Sequence, residues 1–147
     1  MTAPSGVGTA QLMELLSVSL AAYYGDFTVA AASEHLTASQ GKTLSVLRRG
    51  PASMSVLATT LTCDASNMTG IVDRLEKRGL VRREPSPSDR RVKNVVLTAE
   101  GERVIDVIRG KMHHTLAGLS RLDEQERDTF HALLERVFTA QPGADRP

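Results

Sequence analysis

The chain of 147 residues has the length of one domain, and 41% hydrophobic with 24% charged residues is a globular balance that excludes collagenous, low-complexity and disordered classes. Its single cysteine, Cys63, cannot close an intramolecular disulfide, and its first basic residue is Lys42, so neither a disulfide framework nor the positive n-region of an export signal is expected, and the reading is cytoplasmic. The net charge of +1 conceals an asymmetry: residues 74–93 hold eight basic residues against three acidic, a local +5, leaving ten against fourteen, or −4, elsewhere.

After a start rich in Gly, Ser and Pro, the residues Leu12, Leu15, Leu16, Ser19, Leu20, Tyr23 and Phe27 recur at spacings of three and four. They predict a long amphipathic helix over about 9–32. The weakly charged stretch between Glu14 and Asp26 contains serines and falls short of the ~20 apolar residues of a bilayer span, so no membrane crossing is expected. With no positive charge, this helix is suited to packing against protein. A second helix starts at the N-cap Thr37, runs through Leu44 and Leu47 and stops at Gly50-Pro51. Ser53 then caps a short helix with Met54, Leu57, Ala58 and Leu61 inward, and Thr62-Cys63-Asp64 breaks the chain before the next helix, capped by Asp64.

On that next helix, a rotation of 100° per residue puts Met68, Ile71, Val72 and Leu75 on one face and Ser66, Gly70, Asp73 and Lys77 opposite, flanked by Asn67, Thr69 and Arg74. A helix-interior glycine costs ~1 kcal/mol relative to alanine, which is understandable if another body approaches the backbone at Gly70. Gly79 ends the helix as a left-handed cap. Residues 80–84 and 92–97 read as two strands around the turn Pro85-Ser86-Pro87-Ser88-Asp89. A short helix, a turn, a polar-faced helix and a two-stranded basic loop make a winged helix-turn-helix. Two Tyr, three Phe and no Trp leave few stacking platforms for single strands or RNA, so the expected polyanion is duplex DNA. Thr98 caps a further long helix carrying Val104, Ile105, Ile108, Met112, Leu116 and Leu119, and Asp123 with Glu126 forms a capping box before a last helix with Phe130, Leu133, Leu134, Val137 and Phe138. A frayed tail is expected from Gln141.

The segment Asp64–Gly101 resembles the MarR family of bacterial regulators through Ser66-Asn67 with Thr69, the block Val72-Asp73-Arg74-Leu75-Glu76-Lys77-Arg78-Gly79-Leu80-Val81, the wing Asp89-Arg90-Arg91, and Leu97-Thr98 with Gly101. Leu36-Thr37 with Gln40 also matches the start of the family's second helix, and the order of helices agrees from about Leu12 to Phe138. The resemblance implies a single domain over 1–147 that is mainly α with a small β-wing. It comprises a winged helix-turn-helix core over about 37–98 and dimerisation helices over about 9–32 and 99–140. It further implies a homodimer with interlocked first and last helices, recognition helices in successive major grooves, wing tips in the flanking minor grooves, and a pocket for phenolic or other small aromatic molecules. No cofactor is expected.

Ser66, Asn67 and Thr69 are placed on the DNA, with Ser53 and Gly70 beside them, against the alternative that they only cap and solvate a helix start. Arg74, Lys77 and Arg82 are expected on phosphates. Asp73 pairs with Lys77 or with a wing arginine. By resemblance Arg91 takes the position that enters the minor groove, braced by Asp89, with Arg90 the lesser contributor. Tyr23, Tyr24 and Phe27 line a ligand pocket or equally well serve core or dimer packing. Cys63 precedes a helix N-terminus, where a thiol can be activated, but redox-sensing relatives carry their cysteine on the first helix and Cys63 reads as a buried filler. His35, His113, His114 and His131 share no metal-ligand spacing, although some relatives sense zinc. No phosphate loop, nucleophile elbow or metal motif supports an enzyme. The reading is therefore a sequence-specific regulator of transcription that binds a pseudo-palindromic operator as an obligate homodimer, a repressor released by a small molecule. The alternatives are a metal- or redox-responsive regulator of the same fold and, behind it, a non-specific architectural DNA protein.

Overall fold

A computed structural model of the chain describes residues 6–139, and both the tail expected to fray from Gln141 and residue 140 of the last helical region lie outside the described residues. Two compact units are present, divided after Met112.

The first unit begins with α1 (Thr9–Ser33), whose entry is fixed by the Gly8 amide donating to Gln11 Oε1 at 2.9 Å. Only its C-terminal part is buried, at Phe27, Ala30 and Ala31, while Leu12, Met13, Leu15, Val18 and Leu20 remain exposed. Over an 18-residue window its mean hydropathy is 1.3, so by length and composition alone this helix is apolar enough to cross a bilayer, a test that helices of soluble proteins also pass. The chain turns at His35, which takes a left-handed φ of 56°, into α2 (Ala38–Leu47). Thr37 and Gln40 form a reciprocal capping box: Thr37 Oγ1 accepts from the Gln40 amide at 3.2 Å and Gln40 Oε1 from the Thr37 amide at 2.9 Å. A Cβ on Gly41 would lie 2.9 Å from the Phe27 ring, so glycine here lets α2 press onto α1.

A two-residue strand β1 (Ala52–Ser53), too short to leave a periodic signal in the sequence, precedes α3 (Met54–Thr60). α4 (Ala65–Lys77) follows the turn, ends on Gly79 at φ 71°, and leads to β2 (Val81–Pro85) and β3 (Lys93–Leu97). The sheet is antiparallel in the order β1-β3-β2, with Arg83 opposite Val95 and Ala52 on the other side of Val95. Its pairing with β1 makes Val95 the fully buried centre of the sheet. α5 (Ala99–Gly110) is locked to the end of α4: Thr98 Oγ1 accepts from the Gly101 amide at 3.1 Å and donates to the Gly79 carbonyl at 2.6 Å, and the Thr98 amide donates to the Leu80 carbonyl at 3.1 Å. Leu44, Leu57, Met68, Val72, Leu75, Leu80, Ile105 and Ile108 fill the core between these elements.

The second unit holds α6 (His113–Leu119) and α7 (Glu124–Phe138). The single long helix expected from Thr98 to Leu119 is thus broken after Gly110, where Lys111 leaves helical geometry at ψ 0°. Gly110 weakens the last turn, and the Lys111 ammonium is held by Glu34 Oε1 at 2.6 Å and Ser33 Oγ at 3.1 Å. Asp123 and Glu126 form their capping box, at 2.8 and 3.0 Å. Neither helix buries a residue, and Phe130, Leu133, Leu134, Val137 and Phe138 are exposed.

Candidate nucleic-acid interface

The helix-turn-helix is α3, the turn Leu61–Asp64 and α4. Ser53 caps α3 by accepting from the Val56 amide at 3.3 Å, and its hydroxyl lies 3.1 Å from Ser55 Oγ. Asp64 caps α4 with one oxygen, Oδ1, which accepts from the Asn67 amide at 2.7 Å and from Ser66 Oγ at 2.8 Å. Those two hydrogen bonds, the amide first, hold the Asp64 carboxyl below the usual carboxylate range. Ser66 therefore spends its proton on the cap and keeps only acceptor capacity, and Thr69 Oγ1 donates to the Ala65 carbonyl at 2.9 Å. The Asn67 side chain has no partner among the described residues and is exposed, leaving both an amide donor and a carbonyl acceptor for a base edge. Met68, Ile71, Val72 and Leu75 are buried beneath this face, and nothing lies within 4 Å of a Cβ built on Gly70.

The charges sort themselves in one way. Every carboxylate from 73 to 93 is held by an arginine of the same segment: Asp73 by Arg83 at 2.6 Å, Glu76 by the other arm of Arg83, Glu84 by Arg82 at 2.6 Å and Asp89 by Arg91 at 3.2 Å. Arg74, Lys77, Arg90 and Lys93 are exposed, and their side chains form no hydrogen bond or ion pair among the described residues. The acids are neutralised internally and the uncommitted groups are all cationic, which is the arrangement a phosphate backbone recognises. Arg82, expected on phosphate, is instead engaged by Glu84 on the same strand, two residues on. Asp73 takes the wing-strand arginine and not Lys77.

Arg83 is the residue that sequence reasoning missed. It stands in the middle of β2, half-buried under α4, and its guanidinium pKa is raised by the hydrogen bond it donates to Asp73 and then by the charges of Glu76 and Asp73. The available signal was that Asp73 and Glu76, three apart, share a helix face seven to ten residues ahead of a strand arginine.

At the wing, the Asp89 carboxylate accepts from both the backbone amide of Arg91, at 3.0 Å, and its Nε, at 3.2 Å. The loop is closed at its base by the Ser86 amide donating to the Val92 carbonyl at 2.8 Å. Arg91 extends from this brace with 91% of its side chain exposed. Arg90 has no brace.

Behind the reading head, Tyr23, Tyr24 and Phe27 of α1 do line a common cleft of about 250 Å³, together with Lys42, Ser45 and Val46 of α2, Arg49 in the turn after it, Thr60 and Leu61 at the end of α3, and Arg109 of α5. Phe27 is buried and serves chiefly the core. The tyrosine rings meet edge to face, 5.4 Å apart, and Lys42 Nζ sits 4.1 Å from the Tyr24 ring centre. Lys42, Arg49 and Arg109 were not foreseen. They come from separate elements, and none has an acidic partner among the described residues. Cys63 is half-buried against the core, and among the described residues no three His, Cys, Asp or Glu side chains gather as a metal site.

A capped recognition helix, a helix that precedes it across a tight turn and an arginine-tipped antiparallel wing define a winged helix-turn-helix protein. Residues 36–93 match the model of the MarR family. The HTH-type transcriptional repressor NicR of Pseudomonas putida is 36% identical over 101 residues, 68% of this chain and 64% of that protein, and the uncharacterized HTH-type transcriptional regulator YfiV of Bacillus subtilis is 33% identical over 109 residues, 73% of this chain and 68% of that one. The crystal structure of CouR from Rhodococcus jostii RHA1, bound to p-coumaroyl-CoA, superimposes with a TM-score of 0.67 at 26% identity, over 90% of this chain and 93% of its own. The chain belongs to the MarR family. It spans 56–64% of the length of NicR and three other curated relatives that it matches.

Proposed function

We propose that the protein is a homodimeric transcriptional regulator that binds a pseudo-palindromic duplex operator in the cytoplasm, a repressor released by a small aromatic anion. The observation that carries the DNA reading is the internal pairing of Asp73, Glu76, Glu84 and Asp89, which leaves Arg74, Lys77, Arg90 and Lys93 uncommitted around the polar face of α4. Ser66, Asn67 and Thr69 with the open Gly70 then face the major groove, Arg74 and Lys77 take phosphates, and Arg91 enters the minor groove. Ser53 and Arg82 approach the backbone, Arg82 by exchanging an exposed Glu84 pair worth little for a phosphate. MarR-family proteins are regulators and not enzymes, and the same is proposed of this chain.

The homodimer follows from unsatisfied apolar surface. Leu12, Leu15, Val18 and Leu20 on α1 and Phe130, Leu133, Val137 and Phe138 on α7 are all exposed, and a helix pair that buries nothing does not hold itself together in water. A second copy covers those faces and puts two α4 helices about one turn of DNA apart. The ligand reading rests on the cleft: aromatic walls with Lys42, Arg49 and Arg109, and no acid among the described lining residues, suit a flat molecule bearing a carboxylate.

Selecting bound duplexes from a random pool, then measuring affinity against salt and against added aromatic carboxylates, tests the whole reading. Specific binding is expected with a steep salt slope, lowered by about 0.9 in Lys77→Ala. Enrichment of no sequence, or a stable folded monomer in sedimentation at micromolar concentration, sinks it.

A further inference from the structure

One polar junction ties the end of the reading helix to the end of the first helix. Arg78, the C-cap of α4, donates from NH1 to the His35 carbonyl and from NH2 to the Glu34 carbonyl, each at 3.0 Å. These carbonyls belong to the residues that close α1, where the helix dipole leaves partial negative charge and orphan acceptors. The same corner receives Lys111 from the end of α5, on Glu34 Oε1 and Ser33 Oγ. That ion pair, mainly through the hydrogen bond, holds the Glu34 carboxyl below its usual range.

Apart from this fork α1 and α4 scarcely meet, since α1 packs chiefly on α2 and α5. α1 gives the core only Phe27, Ala30 and Ala31, and Phe27 lies against Gly41 of α2. Apolar packing of this kind is non-directional. A planar guanidinium forked onto two consecutive carbonyls is a two-point restraint that fixes direction as well as distance. Because α1 supplies the proposed dimer contact and α4 the proposed groove contact, the angle between them sets the separation of the two reading helices across the dimer.

We infer that Arg78 is a positioning residue: it touches no DNA, and by holding the end of α4 on the end of α1 it sets the half-site spacing that the dimer accepts. The inference rests on the dimeric DNA-binding reading above. It assigns Arg78 a different part from Arg74 and Lys77, which lie on the same helix and in the same basic run.

The test uses the full-length dimer and duplexes whose half-sites are those selected by the wild type, with the separation lengthened or shortened by one and two base pairs. Each inserted pair turns one half-site by roughly 35° about the duplex, so the wild type is expected to lose about tenfold or more at a wrong spacing. Arg78→Ala is expected to lose affinity at the best spacing and flatten the profile to within about threefold, while its losses for single-base changes inside a half-site stay those of the wild type. Arg78→Lys, with one point of attachment, falls between. A second readout needs no DNA: a nitroxide on Ala65→Cys in a Cys63→Ser background reports the distance between the two copies of α4 by pulsed electron resonance, and its distribution should broaden in Arg78→Ala. If circular dichroism shows Arg78→Ala unfolded, Arg78→Lys and Arg78→Gln carry the same comparison. An equal loss at every spacing, an unchanged profile, or an unbroadened distance distribution overturns the inference. Failure of the wild type itself to prefer any duplex is seen before any variant is made, and overturns the regulator reading and this inference with it.

Discussion

Gly101 lies against the backbone of Leu80: a Cβ at position 101 would stand 2.1 Å from the Leu80 carbonyl oxygen and 2.7 Å from Leu97 Cδ1. The contact is enforced by Thr98, which caps α5 through the Gly101 amide and grips the Gly79 carbonyl, so neither side can withdraw without breaking the junction of α4, wing and α5. Gly101→Ala should therefore cost about 3 kcal/mol, the upper end for overpacking, and lower the melting temperature by roughly 10 °C or more. Gly70→Ala is the counterpart. With open space around its Cβ it should stabilise α4 by up to ~1 kcal/mol in urea titration and yet weaken operator binding, because the added methyl lies where DNA must approach. A Gly70→Ala protein that binds as tightly as the wild type would remove the close-approach argument.

Arg83 should matter to DNA binding without touching DNA. Removing it frees Asp73 and Glu76 on the face of α4, so Arg83→Ala should weaken binding by roughly tenfold, equivalent to about 1.4 kcal/mol. Adding Asp73→Asn and Glu76→Gln should recover most of that loss. Affinities of the single and combined variants, arranged as a thermodynamic cycle, decide the matter; additive losses would mean that Arg83 acts as a direct contact.

Arg91→Ala should weaken specific binding more than Arg90→Ala, and most on operators with A·T-rich flanks, where a narrow minor groove favours a guanidinium. Asp89 prepares Arg91 through its backbone amide and Nε, whereas Arg90 is unbraced, so Asp89→Ala should reproduce part of the Arg91→Ala loss. Titration against A·T-rich and G·C-rich flanks checks both, and equal losses would leave the wing as a general phosphate clamp.

Stability should fall on the acid side. The carboxyls of Asp64, Glu34 and Glu100 are each held below their ordinary values, by the Asn67 amide, by Lys111 and by Arg103 respectively. A depressed native pKa means that the unfolded chain binds more protons, so the contribution is complete above the unfolded carboxyl values near 4 and drains away as pH falls through the lower native ones. Urea midpoints measured from pH 7 down to about 2.5 should decline below pH 4, and Asp64→Asn, which keeps a capping oxygen, should decline less steeply. Identical profiles for the two proteins would show that the Asp64 charge contributes nothing.

Local chemistry made much of the molecule readable. Thr37, Ser53, Asp64, Thr98 and Asp123 each accept the backbone hydrogen bond that a helix start demands, and Gly79 takes the left-handed conformation that ends α4. The buried and outward faces of α4 follow from a period of 3.6 residues and need no knowledge of the rest of the chain. Two breaks in this legibility have the same origin. β1 consists of two residues whose extended state is fixed by β3, and the helix after Thr98 stops at Gly110 where Lys111 is drawn to Glu34, a residue 77 positions away. Neither partner lies within a local window.

By itself, the sequence determined which residues cap, which face inward on α4, and where positive charge accumulates, because those properties depend on residues at most a few positions apart. Only the tertiary structure decided which charges remain for a partner. Arg82 and Arg91 find their carboxylates two residues away in the chain, but Arg83 looks like Arg74, Lys77 and Arg90 in a list of basic residues, and it is the packing of α4 on β2 that brings Asp73 and Glu76 to it and not to the others. The cleft likewise exists only where α1, α2 and α5 converge, since Lys42 on α2, Arg49 in the turn after it and Arg109 on α5 become one cationic lining through folding. An ion pair or a binding cleft depends on distance in space, and a chain's order fixes that distance only after its core has closed.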